Sequence, residues 1–248
     1  DEVLRRRLRG EALFLRAWGH FVLYQYYCQN YSPDALAMPY METSTLQQVA
    51  REKQGTYFDK LVRDLSESKT LLPTGVTDIN RANLQAANAL HARVALYMRD
   101  WTNAEANATA YINAIPLADR TTFAGIWTDA NAQEQAFRLI RQVGIGPRIG
   151  SLFRGLSAPV SGNMTLANIV WGPSNKLWDS YDRTNDVRFS SYLIDEPLQQ
   201  AAGRPSRLVR KYAGGAYGSA TENINNAKVF RTAEMVLIRA EARAEQNK

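Results

Sequence analysis

Two amphipathic segments carry Arg and Glu inside apolar runs, Arg9-Gly10-Glu11-Ala12-Leu13-Phe14-Leu15-Arg16-Ala17 near the start and Val229 to Ala242 near the end. They bracket a stretch, residues 118–228, in which helical periodicity nearly vanishes and glycine and proline recur, as in Gly144-Ile145-Gly146-Pro147-Arg148-Ile149-Gly150 and Gly172-Pro173. More than a hundred residues are too many for a plain loop inside a compact domain. The pattern therefore predicts a mainly α protein: a tetratricopeptide-like helical scaffold at 1–117 and 229–248, with a large irregular, loop-rich insert at 118–228. Binding residues usually sit on irregular segments that a rigid frame positions.

The scaffold can be read helix by helix. Leu8, Ala12, Leu15, Gly19, Val22 and Tyr26 recur in steps of four and three, which predicts a helix from Glu2 to Tyr27 with that stripe on one face. Asn30 to Met41, with Pro33 and Pro39, reads as a loop. Ser44-Thr45-Leu46-Gln47 has the spacing of a capping box and opens a second helix that Pro73 ends. Asn80 is placed to cap a third, which reaches Arg99-Asp100, and Thr102-Asn103-Ala104-Glu105 opens a fourth, closed by Pro116. Ala86, Ala87, Ala89, Ala92 and Ala95 let this last pair approach closely, so 80–115 reads as one tetratricopeptide-type hairpin. In the closing helix Arg231, Glu234, Arg239 and Glu241 lie off a Phe230–Ala233–Leu237–Ala240–Ala244 stripe, as a solvated or salt-bridged flank does. Within the insert, 134–143 predicts a short strand and 177–193 one or two short helices.

The bulk numbers exclude little and are ordinary for a globular chain. A formal charge of +6 with dispersed basic residues lacks the basic face of a nucleic-acid binder. No apolar run approaches the roughly 18 residues of a membrane span. One cysteine, Cys28, leaves no intrachain disulfide. His20 and His91 each fall in a helical stripe and read as packed or surface side chains, with no metal-type spacing around them. Asp182-Arg183-Thr184-Asn185-Asp186 alternates oxygen ligands but lacks the glycine and distal Glu of a calcium loop, so its aspartates read as turn or ion-pair residues. Gly155-Leu156-Ser157-Ala158 lacks the second glycine of a nucleophile elbow, and 144–150 lacks the Lys-Ser/Thr of a phosphate loop. No catalytic motif and no cofactor signature stand out.

Four blocks, in order, resemble the SusD/RagB family of outer-membrane lipoproteins from Bacteroidota. They are Arg9 to Phe21; Ala37-Met38-Pro39-Tyr40 through Tyr57-Phe58-Asp59-Lys60-Leu61 to Leu71-Leu72-Pro73; Ala89 to Ala104; and Phe230-Arg231 through Ala233-Glu234 to Leu237-Ile238-Arg239-Ala240-Glu241-Ala242. The chain opens in helical register and stops just after a helix, and the family's members are longer, so a fragment or shortened member is expected. The signal and the lipid anchor would then lie outside this chain. The resemblance implies a non-enzymatic, cofactor-free protein at the outer-membrane cell surface. Such a protein captures an oligosaccharide or other nutrient, a peptide in some branches, and passes it to a SusC-like TonB-dependent transporter.

Sugar rings stack on exposed aromatic faces while polar groups fix their hydroxyls. The insert supplies Trp127, Trp171, Trp178, Tyr181, Tyr192, Tyr212 and Tyr217. Helical spacing points Trp178 and Tyr181 toward core packing. Trp171, before Gly172-Pro173, and Tyr217, between glycines, are the stronger candidates for exposure, with Arg188 and Tyr192 as a further pair. A helical-repeat scaffold for protein partners is the alternative carried by the 80–115 hairpin, and an enzyme would require two convergent carboxylates in a cleft.

Overall fold

The structure, a computed structural model, describes residues 1–144, 148–150, 153, 157–158, 165–166, 171–201, 203, 205–216 and 219–248. In chain order the elements are α1 (Glu2–Tyr27), α2 (Gln54–Leu71), α3 (Leu84–Met98), α4 (Trp101–Ala114), α5 (Phe123–Ile126), β1 (Gln135–Leu139), β2 (Ser157–Ala158), β3 (Thr165–Leu166), α6 (Asn175–Asp179), α7 (Val187–Tyr192), β4 (Leu193–Asp195), α8 (Pro197–Ala201), β5 (Arg207–Val209), β6 (Ala227–Arg231) and α9 (Thr232–Glu245). They form two compact units, residues 1–117, 134–138 and 229–248 in one, and 118–133 and 139–228 in the other.

In the first unit α1 packs on α2, α3 on α4, and α4 on α9. Small residues bring α3 and α4 together: Ala86, Ala87, Ala89, Ala92, Ala95, Ala104 and Ala108 are all buried, with Tyr111 behind them. Gly10 does the same for α1, because a Cβ there would stand 2.9 Å from the Leu71 Cβ. The charges embedded in the helices are paired. Glu11 is buried and accepts from Arg81 and Arg7. Arg16 donates to buried Asp64 at 2.5 Å. Burial pushes the Asp64 carboxyl up, and bonds from Arg16, Tyr40 and Arg63 outweigh it, holding the group below its usual range. Arg93 grips both oxygens of Glu234 at 2.6 and 2.7 Å, donates to the Val229 carbonyl at 2.9 Å, and stacks on Phe230.

Several expected features differ. On α1 the structure exposes Leu8, Ala12, Leu15, Gly19 and Tyr26 and buries Leu13, Phe14, Ala17, Phe21 and Tyr24. Both faces of this helix are apolar, and the aromatic one has more area to bury, so it wins the core. Likewise α9 buries Thr232, Met235, Ile238 and Ala242 and leaves Leu237 70% exposed. Val229 to Arg231 is strand, so α9 begins only at Thr232 and takes a different helical phase. The Ser44–Gln47 box does not form. There the Gln47 N–H bonds the Thr45 hydroxyl, and α2 starts only at Gln54, where the Gln54 N–H bonds the Ala35 carbonyl and Lys53 bridges to Leu36. A backbone pairing across the loop outcompetes a local cap. Asn83, not Asn80, caps α3, because its amide also reaches the Ala136 carbonyl. Asp100, not Thr102, caps α4.

β1 and β6 pair as a two-stranded sheet, most of it in the first unit. Tyr111 anchors it. Its hydroxyl donates to the Glu134 carbonyl at 2.8 Å, accepts from the Ala136 N–H at 3.0 Å, and lies 3.4 Å from the Phe230 carbonyl. Burial raises the phenol far above its ordinary range and keeps it protonated. Replacing Tyr111 with Phe keeps the ring and removes these bonds. It is expected to lower unfolding free energy in urea by about 1–3 kcal/mol with an unchanged denaturant slope.

Both histidines are buried. His91 Nδ1 lies 2.9 Å from Lys69 Nζ, which also bonds Asn107. Burial pushes Lys69 down to about 8; burial, then the Lys69 charge, pushes His91 down to about 4. The unfolded chain takes up the His91 proton near the ordinary 6.5, and the folded chain only near 4. Stability present above pH 6.5 therefore falls as pH drops through that interval. On the alkaline side the unfolded lysine holds its proton up to the ordinary 10.5, so stability rises from pH 8 to 10.5. Urea midpoints measured across pH are expected to lose the first slope in His91→Asn and the second in Lys69→Met.

Candidate functional site

Among its described residues the second unit carries little regular structure, and side chains bonding nearby backbone shape it. Asp119 accepts from the N–H groups of Thr121 and Thr122 and from both hydroxyls, and these bonds pull its carboxyl down to about 2. Asp182 accepts from the N–H groups of Thr184 and Asn185. Asp186 caps α7 through the Arg188 N–H and pairs with the Arg188 guanidinium at 2.6 Å. The 182–186 carboxylates thus serve turns, a cap and an ion pair. Asn225 donates to the Trp127 carbonyl, and Lys228 donates to Asp129.

Two aromatic centres result. One is Phe123, Ile126 and Trp127, with Ala118, Val187, Tyr192 and Tyr212 packed around them. The other is built on Trp178, 4% exposed, whose ring meets Phe189 edge-on at 5.0 Å and lies under the guanidinium groups of Arg207 and Arg183. Tyr181 continues it, with Phe189 on one side and Arg188 over its ring at 5.6 Å.

Beside the second centre lies a shallow depression lined by Gly172, Pro173, Ser174, Asn175, Asp179, Pro205, Ser206 and Arg207. Its parts come from the turn before α6, from α6 and from the start of β5. Strand pairing of β4 with β5 (Leu193 to Val209, Ile194 to Leu208, Asp195 to Arg207) fixes the β5 side. Ser174 caps α6 by accepting from the Leu177 N–H at 3.2 Å. The Asn175 side-chain carbonyl accepts from Arg207 at 3.0 Å, which leaves its NH2 to donate outward. Trp171, next in the chain to Gly172, is 61% exposed. An open indole beside a polar hollow holding a hydroxyl, an amide, a carboxylate and a guanidinium has what an uncharged polyol needs: an apolar platform and directed hydrogen bonds.

The four predicted site residues divide. Trp171 is exposed and next in the chain to Gly172 of this hollow. Arg188 joins the same aromatic centre through Tyr181 but spends its guanidinium on Asp186. Tyr192 belongs to the other centre, half-buried with its ring against Trp127 at 5.1 Å and Phe123 at 5.8 Å. Tyr217 lies outside the described residues, as do 145–147 of the glycine-rich turn. Asn175, Asp179, Ser206 and Arg207 were not singled out by sequence. The Gly172-Pro173-Ser174 turn ahead of a helix marks the first two, whereas the β4–β5 pairing that brings Ser206 and Arg207 alongside leaves no local signature.

Comparison with known proteins places this architecture. A SusD-like family, described as "Starch-binding associating with outer membrane", matches residues 1–96. A search of curated proteins finds no match. Among solved structures, a SusD superfamily protein from Bacteroides thetaiotaomicron is similar over 100% of this chain and 56% of its own, at 21% identity and a TM-score of 0.80. A laminarin-binding SusD-like protein is similar at 18% identity and a TM-score of 0.71, over 98% of this chain and 60% of its own. Surface glycan-binding protein A from Bacteroides thetaiotaomicron, in complex with laminarihexaose, is similar at 14% identity and a TM-score of 0.73, over 99% and 59%. The chain spans a little over half the length of these structures. Its first 96 residues match the SusD-like family model, and its fold is similar to those of SusD superfamily structures.

Proposed function

We propose that this protein binds glycans at the bacterial cell surface and hands them to a TonB-dependent outer-membrane transporter, without chemistry of its own. The observation that carries the reading is the exposed Trp171 indole beside the polar hollow of α6 and β5, on a SusD-superfamily fold. Two structures of that fold are described as binding laminarin or laminarihexaose, which supports the glycan class without assigning a particular sugar to this chain. In this reading a lipid anchor holds the protein to the membrane; no described helix is long and apolar enough to cross one. Residues 1–117 and 229–248 serve as the scaffold in this reading, and 118–228 carry the ligand.

Carbohydrate-array screening followed by calorimetry tests it. For any glycan that binds, Trp171→Ala is expected to weaken binding about tenfold, or ~1.4 kcal/mol. As an exposed side chain, Trp171 is expected to change unfolding free energy by less than about 0.5 kcal/mol when truncated. Trp178→Ala, by contrast, empties a buried site and is expected to cost about 3–5 kcal/mol of stability. Binding to peptides with no binding to any glycan would overturn the sugar reading, and glycan affinity untouched by Trp171→Ala would overturn the site.

A further inference from the structure

The second unit holds another concavity, built on its other aromatic centre. Ala124, Trp127 and Thr128 form one wall, Ser190, Ser191 and Ile194 a second, and Arg210 with the segment 213–216 a third, enclosing about 230 Å³. That is below the roughly 300–1,000 Å³ of sites that take drug-sized ligands, and of the order of one sugar ring. Trp127 supplies an apolar wall. Thr128, Ser190 and Ser191 each donate their hydroxyl hydrogen to a backbone carbonyl (Gly125, Val187 and Val187), so their oxygens remain as acceptors. Gly214 has φ +62, and a Cβ there would meet the Ile224 carbonyl oxygen at 2.3 Å, so the third wall is bare backbone by necessity.

Charge sets this cavity apart. No carboxylate lines it among the described residues. Arg183 and Arg188 of the same unit each hold an aspartate, and Arg207 holds Asn175. The Arg210 guanidinium has no hydrogen bond or ion pair among the described residues, and it is exposed at the rim. Lys211 Nζ lies 4.5 Å from the Trp127 ring and 4.7 Å from the Tyr192 ring, adding a second cation behind the aromatic wall. Residues 118–133 and 139–228 together carry twelve Lys and Arg against eight Asp and Glu. A planar fork of donors with no acceptor of its own suits a carboxylate or sulfate oxygen pair, which it can hold through two parallel bonds.

We propose that this cavity is a subsite for an acidic sugar, whose carboxylate or sulfate group pairs with Arg210 while its ring lies against Trp127. The proposal rests on the glycan-binding reading and narrows it to acidic glycans. Calorimetry with three probes tests it: an oligogalacturonate, a sulfated galacto-oligosaccharide and a neutral galacto-oligosaccharide of equal length. The wild-type chain is expected to bind at least one acidic probe about tenfold more tightly than the neutral one, with a preference that shrinks as salt is raised. The acidic probe that binds tells carboxylate from sulfate. Arg210→Ala is expected to bring acidic binding down to the neutral level with an unchanged melting temperature, and Arg210→Lys to restore part of it. Equal affinity for acidic and neutral probes, or full acidic affinity in Arg210→Ala, overturns the subsite. If Trp171→Ala still weakens neutral binding in that case, the glycan reading stands alone. If no oligosaccharide binds, the glycan reading falls, and free galacturonate decides the cavity: no Arg210-dependent uptake overturns it as well.

Discussion

One phenolic hydroxyl holds together the place where the helical unit loses and regains the chain. Tyr111 sits at the back of α4, fully buried, and satisfies backbone groups of residues 134 and 136 while touching that of 230. Around it the same few atoms are used repeatedly. The Glu134 carbonyl also accepts from the Thr232 N–H at 3.0 Å, and the Glu134 carboxylate pairs with Arg231 at 2.8 Å. Glu134 stands in the left-handed backbone region, at φ 64, which costs about 1–2 kcal/mol for a residue with a side chain. That conformation aims its carbonyl at Tyr111 and Thr232, so the bonds offset the strain. Without this knot β1 and β6 would be a two-stranded ribbon, a structure too small to be stable alone.

The charges embedded in the helices follow a related logic. Glu11 with Arg81, Arg16 with Asp64 and Arg93 with Glu234 each join segments distant in sequence. A partner lost from such a pair leaves a charge or its acceptor poorly solvated, so the pairs act as registration marks for helix packing more than as sources of net stability. The Arg9–Ala17 block is built the same way: Gly10, Glu11, Phe14 and Ala17 are all buried against neighbouring elements.

What the amino-acid sequence reveals tracks how local each determinant is. The extents of α1 and the α3–α4 hairpin and the strand near 135 follow from spacing within a few residues, whereas the burial of both histidines depends on which helices pack against them. The buried face of α1 does not, because Leu8–Leu15 and Phe14–Phe21 are equally periodic and only the packing partner chooses between them. The caps at Asn83 and Asp100 were displaced from neighbouring candidates by tertiary bonds or by the first available carboxylate. In the second unit, an exposed tryptophan before Gly-Pro could be anticipated. That the Arg210 guanidinium has no partner among the described residues could not, since it depends on which segment lies alongside.

The second unit replaces periodic secondary structure with short side-chain braces. Asp119, Asp182, Asp186 and Ser174 each organise the next two or three residues, and the aromatic centres on Trp127 and Trp178 fill the space between them. The chain leaves the helical unit after Leu117 and again after Arg138, and re-enters it at Glu134 and at Val229. Closing a longer or shorter excursion between Arg138 and Val229 changes the entropy cost only logarithmically with length. Insertions or deletions between 139 and 228 therefore cost the helical unit little through loop closure, so that stretch can change length while the helices keep their packing.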